Sequence, residues 1–154
     1  MEASIRSVAV AVDGSEHADR ALALAIDLAQ RYAAHLTIVA VAPIPPGIVL
    51  PNEPMLPPVL PESTAPQFRA LVDAAVARAR AAGLPAVDGL CEEGAPVDEL
   101  LRFLNRAPVD LLVVGSRGLS VAKRILLGSV SSEMVHRAPC PVLVVRARAT
   151  PRPS

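Results

Sequence analysis

The chain has 154 residues, 52% hydrophobic and 19% charged, and its fifteen basic and fifteen acidic residues cancel. That length predicts one domain with a sizeable core, while zero net charge and 2% aromatic content exclude the basic face and stacking platforms of a nucleic-acid binder. Apolar runs fall far short of the ~20 residues that span a bilayer, and the short stretch between Glu2 and Asp13 lacks a signal peptide's apolar length, so the reading is a cytoplasmic protein with no membrane or nucleic-acid partner.

Val8 to Val12 is an unbroken apolar run rich in β-branched residues, read as a first strand buried on both faces. It stops at Asp13-Gly14-Ser15. From Glu16 to Ala33 the apolar positions 18, 21, 22, 25, 28, 29 and 32 recur at helical spacing. Ser15 is the natural N-cap, and Glu16 and Asp19 sit where the helix dipole favours acids. Leu36 to Val41 is a second buried strand. Nine of the sixteen prolines then fall between Pro43 and Pro66. Proline lacks an N–H and fixes φ, so this segment is neither helix nor central strand. It reads as a variable exposed loop, with a cover over a ligand or a partner surface as the alternative.

Gln67 to Ala82 is a second amphipathic helix closed by Gly83. Ala86 to Glu92 has mixed polarity, as a sheet-edge strand does. Gly94-Ala95-Pro96 opens a third helix, with Asp98 and Glu99 near its start and Arg102 and Arg106 near its end. Leu111 to Val114 is a fourth strand. Gly115 and Gly118 follow, then nine residues, then Gly128-Ser129 and a helix to Arg137 that Pro139 stops. Pro141 to Val145 is the last strand, and residues 147–154 read as a disordered tail. Strands alternating with helices give an α/β fold, a five-stranded parallel sheet wound in two directions and covered on both faces.

Strand, glycine loop, helix N-terminus is a recurrent way to hold phosphate, because the helix presents free N–H groups and the positive end of its dipole. The spacing here matches neither G-x-x-x-x-G-K-[ST] nor G-x-G-x-x-G. Gly115 and Gly118 let the loop approach ribose and phosphate without a Cβ in the way. Gly128, Ser129, Val130 and Ser131 offer N–H groups, Ser129 and Ser131 add hydroxyls, and Arg117, Lys123 and Arg124 offer positive charge beside the loop. Asp13 places a carboxylate at the end of the first strand, able to bond adenine, ribose or a metal-bound water. Of the three histidines, His17 alone stands near Asp13, whereas His35 and His136 read as structural. No G-x-S-x-G, H-E-x-x-H or C-x-x-C occurs, and no general base is evident. Cys91 and Cys140 read as unpaired, half-buried thiols, with a redox pair as the alternative.

G-x-x-G, nine residues, G-S placed directly after a buried strand resembles the ATP-binding signature of the universal stress proteins. Ala-Pro-Cys-Pro-Val-Leu-Val-Val-Arg at 138–146 is similar to that family's last strand. The resemblance runs from Val8 to about Arg146 and makes residues 1–146 one domain. It implies strand order 3-2-1-4-5, which brings Asp13 and Gly115 to the same crevice, the place where open α/β sheets bind ligands. It further implies ATP with Mg²⁺ as cofactor, Asp13 beside the nucleoside, and a backbone contact from Val41 to adenine. A homodimer built on strand 141–146 also follows from it, and an unidentified regulatory protein partner is expected beside it. A binding module tuned by nucleotide is the leading expectation. A slow ATPase or adenylating enzyme and an association module without nucleotide are the alternatives.

Overall fold

A computed structural model describes residues 4–45, 62–117 and 127–146. Gly118, Lys123, Arg124, most of the proline-rich segment and the expected tail lie outside the described residues. The strands are β1 (Ser7–Ala11), β2 (His35–Ala42), β3 (Val87–Glu93), β4 (Leu111–Gly115) and β5 (Val142–Val145). The helices are α1 (Glu16–Tyr32), α2 (Ala65–Ala81), α3 (Pro96–Arg106) and α4 (Ser129–Arg137). The strands form one parallel sheet in the order β3-β2-β1-β4-β5, the fold class and order expected. Among the described residues no helix is long and apolar enough to cross a membrane.

Alternation along the strands sends side chains to two cores. Val8 and Val10 face one layer together with Leu36, Ile38 and Val113, under α1 and α2. Ala9, Val39, Leu112 and Val114 face the other, under α3 and α4, where Phe103 and Met134 are buried. The buried stripe of α1 is mostly alanine, at 18, 21, 25 and 29, and such small side chains let the helix lie close to the sheet. Asp110 ties the far end of the sheet: its carboxylate accepts the N–H groups of Arg6 at 2.9 Å and Ser7 at 3.0 Å.

Element limits depart from the sequence reading for local reasons. Helix α2 begins at Ala65, two residues before the expected Gln67, with Pro66 inside its first turn. Proline is tolerated there because the first-turn N–H groups have no intrahelical acceptor. Gly83 follows the C-cap at φ 93°, and the Leu84 N–H then closes on the Ala79 carbonyl at 3.1 Å. The same closure ends α1 without glycine. Ala33 takes φ 50° and ψ 41°, and Ala34 donates to the Ala29 carbonyl at 2.8 Å.

Candidate functional site

β1 lies between β2 and β4, and the chain leaves β1 for one face of the sheet and β4 for the other. The crossovers therefore diverge above the carboxyl ends of these strands and leave a crevice. Asp13 stands at its floor. One carboxylate oxygen, Oδ1, accepts the Ser15 N–H at 2.9 Å, which folds the turn into α1. The Ser15 hydroxyl then accepts the Ala18 N–H at 3.2 Å. The start of α1 is thus closed by its own side chains, as the N-cap reading expected.

The four helices meet the problem of their first N–H groups differently. α1 uses Ser15, while α2 and α3 carry proline in the first turn. α4 has neither a capping side chain nor a proline. Gly128 and Ser129 to Ser131, the start of α4, line the crevice. The amides of Ser129, Val130 and Ser131 have no hydrogen-bond acceptor among the described residues. They present three N–H donors at the positive end of a helix, an arrangement suited to an anion.

Ser116 holds that end in place, and the sequence reading missed it. The residue is 2% exposed. Its N–H donates to the Val145 carbonyl at 2.8 Å. Its carbonyl accepts the Gly128 N–H at 2.6 Å and the Ser131 hydroxyl at 3.0 Å. Its own hydroxyl lies 2.8 Å from His17 Nδ1. One buried serine thus joins β4, β5, α1 and α4. A serine placed directly after the buried strand and its closing glycine was the available signal. These bonds correct two expected roles. The Gly128 N–H is consumed inside the protein rather than offered to a ligand, and the Ser131 hydroxyl, shared with the Gly128 carbonyl at 3.1 Å, is turned back toward the loop.

Gly115 also has a different reason from the one expected. A Cβ there would stand 2.7 Å from the His17 carbonyl carbon and 2.8 Å from the Ala18 nitrogen. Glycine is required at this point because the backbone of α1 passes directly against the end of β4.

The crevice encloses a cavity of about 300 Å³. Asp13, Val41, Gly115, Arg117, Gly128, Ser129, Val130 and Ser131 all line it, so eight of the nine residues singled out from sequence meet at one place; Gly118 is outside the described residues. Asp13 is the single carboxylate and Arg117 the single cation on the wall among the described residues. The wall toward β2 is apolar and includes residues that the sequence reading did not place at the site, namely Pro43, Phe68, Pro96 and Leu100. A cleft with one apolar end, one end of free amides and a carboxylate between fits a ligand that is flat and apolar at one end and anionic at the other.

Other reactive groups lie elsewhere. His35 pairs with Asp88 at 2.7 Å at the start of β2, and His136 Nδ1 lies 2.8 Å from the Ser132 carbonyl in the last turn of α4. Cys91 and Cys140 are free and half-buried. Burial pushes both thiols up; Arg69 opposes this at Cys91, and the Leu112 backbone opposes it at Cys140. Among the described residues, no group of three or more His, Cys, Asp or Glu side chains is arranged to hold a metal ion. Asp13 by itself fits the habit of Mg²⁺, which takes one or two carboxylates and otherwise phosphate oxygens and water.

Residues 4–146 match the model of the universal stress protein family. A universal stress protein from Thermus aquaticus, named for its place in the 3′ region of QAH/OAS sulfhydrylase, is 37% identical over 145 residues, which cover 92% of this chain and 98% of that one. The crystal structure of a universal stress protein in complex with cAMP superposes with a TM-score of 0.69 at 31% identity, covering 93% of this chain and 98% of the other. A family protein from Arabidopsis thaliana with AMP bound shares the fold at a TM-score of 0.63 and 21% identity, over 97% of this chain and 96% of the other.

Proposed function

The chain belongs to the universal stress protein family, and from that premise we propose that it is a cytoplasmic adenine-nucleotide-binding module of the stress response. It holds ATP with Mg²⁺, and its occupancy modulates a homodimer or a contact with a regulatory protein. The observation that carries the reading is the trio of amides at Ser129, Val130 and Ser131, without an acceptor among the described residues, lining the same cleft as Asp13. Three main-chain donors to a charged phosphate are worth roughly 1.5–3 kcal/mol each. Micromolar binding needs about 8 kcal/mol net of ordering costs, so the amides, at roughly 4.5–9 kcal/mol gross, supply a large part of it and contacts to base and ribose the rest. The related structure with cAMP supports an adenine nucleotide as the ligand class.

In this reading Arg117 offsets phosphate charge, the second carboxylate oxygen of Asp13 faces the ribose or a hydrated Mg²⁺, and the end of β2 at Val41 meets the base. Mg²⁺ would neutralise phosphate oxygens when bound. His17 has its Nδ1 engaged with Ser116 and is not on the cleft wall, which favours binding over hydrolysis. The dimer contact is assigned to β5, an edge strand whose four residues are all half-buried and whose outer side has no strand partner among the described residues, an edge open to pairing.

The test is a thermal-shift titration with Mg-ATP on the natural chain and on Ser129→Pro. Ser129 is the first residue of α4, where proline is well tolerated, and Gly128 before it has φ −69° and ψ 167°, the extended backbone that proline requires of its predecessor. The variant removes one donor and leaves the helix. At a hundredfold excess over Kd the natural chain should gain about 2.7 kcal/mol. Ser129→Pro should melt at the same temperature without ligand and bind about tenfold or more weakly. No shift in the natural chain would reject the reading.

A further inference from the structure

The cleft orders its chemistry along the sheet edge. Val41 and Pro43 stand at the end of β2, Asp13 at the end of β1, and Gly115, Arg117 and the start of α4 at the end of β4. β2 and β4 flank β1, so the apolar and anion-binding ends are separated by two strand spacings, about 10 Å. A mononucleotide fits that layout, with the base at β2, ribose over Asp13 and phosphate at α4.

The apolar end holds one aromatic ring. The chain contains two phenylalanines, one tyrosine and no tryptophan. Phe103 is 5% exposed within the core under α3, and Tyr32 is 53% exposed at the far end of α1. Phe68 alone lines the cleft. Its ring is half-buried: part packs on the core under α1 and α2, and the remainder forms the cleft wall. The helix turn that carries it is fastened on both sides. The Thr64 hydroxyl donates to the Pro43 carbonyl at 3.0 Å, and the Ser63 hydroxyl donates to Glu93 Oε1 at 3.0 Å. The Phe68 N–H closes on the Thr64 carbonyl at 3.3 Å. These bonds fix the start of α2 to the exits of β2 and β3, so the ring is presented on a braced turn.

We propose that Phe68 is a specificity-determining residue of this cleft, the face on which a purine base stacks. The inference rests on the nucleotide reading and adds what selects the base. Stacking on an aromatic ring scales with the π-face offered and is indifferent to hydrogen-bond pattern. Phe68 therefore favours purines over pyrimidines and contributes nothing to a ligand that lacks a base. Ring and phosphate cradle act at opposite ends of the ligand and are separable by experiment.

Affinities of AMP, UMP and ribose 5-phosphate are measured by calorimetry on the natural chain, Phe68→Leu and Phe68→Tyr. Phe68→Leu is expected to weaken AMP about tenfold, to weaken UMP less, and to leave ribose 5-phosphate within twofold. Phe68→Tyr, which keeps the ring, should hold AMP within about threefold. Equal losses for AMP and ribose 5-phosphate, or an unchanged AMP affinity, would overturn the role of Phe68 while leaving the nucleotide reading intact. Failure of the natural chain to bind either AMP or Mg-ATP would overturn both. Should Phe68→Leu not fold, Phe68→Trp gives an independent reading. It introduces the only indole, whose emission AMP should quench and ribose 5-phosphate should not. An indole blind to saturating AMP refutes the stack.

Discussion

Gly115→Ala is the substitution on which the geometry makes its sharpest demand. The added methyl would lie 2.7 Å from the His17 carbonyl carbon, 2.8 Å from the Ala18 nitrogen and 2.9 Å from His17 Cβ. Non-bonded carbon atoms sit at about 3.5–4.0 Å, so the overlap approaches 1 Å. Two of the three neighbours are backbone in the first turn of α1. That turn is pinned by the Ala18 to Ser15 bond of 3.2 Å and the Asp19 to Ser15 bond of 3.0 Å. Neither atom can swing aside as a rotamer would. β4 cannot retreat, since it is paired on both sides, to β1 and to β5. Overpacking costs about 1–3 kcal/mol, and with both surfaces rigid the upper end applies, about 3 kcal/mol. For a chain of this size that lowers Tm by roughly 6–12 °C. Urea denaturation should show a lower midpoint at unchanged m-value. Because α1 carries the turn that Asp13 shapes, AMP affinity should fall as well. A variant with natural stability and lost AMP binding would place the missing Cβ on the ligand's side of the chain and reverse the account given for this glycine.

Ala33 holds a left-handed conformation at φ 50°, which costs a residue with a Cβ about 1–2 kcal/mol. Ala33→Gly should therefore raise stability by about 0.5–1 kcal/mol once glycine's larger unfolded-state entropy is subtracted; a lower urea midpoint would contradict this. Burial pushes the Cys91 and Cys140 thiols up, and the thiolate is the reactive form, so alkylation by iodoacetamide at pH 7.5 should be slower in the native protein than in urea. The native state keeps these protons longer than the unfolded chain does. Their contribution is therefore complete below the ordinary thiol pKa and is lost as pH rises through the raised one, so stability should decline on the alkaline side, and a urea midpoint that rises there would count against it. Val144→Lys puts a charge on the edge strand and should yield a monomer by sedimentation; an unchanged dimer would remove β5 from the interface.

Much of the architecture was legible in the sequence because its signals are local. The run Leu111 to Val114, the alanine-rich stripe of α1 and the Ser15 cap each act within a few residues of themselves, and each element stands within two residues of its expected place. Alternation of strands and helices then left few topologies. The positions of Asp13 and of Gly128 to Ser131 were legible as well, since a strand end and an uncapped helix start are sequence features with fixed geometry. What those groups face was not. Ser116 meets His17 across 99 positions of the chain, and Ser15 meets the Arg117 carbonyl across 102. No spacing rule reports such contacts. The glycine pattern announced that side chains are forbidden at Gly115, yet only the packed fold decided that the forbidden space belongs to α1. Phe68 carries the same lesson: its helical period placed it on an inward face, and the bracing of α2 against the exits of β2 and β3 decided that this face borders a cleft. Propensity and period act within an element, whereas a cleft exists only between elements, and its lining is fixed by how they come to rest on one another.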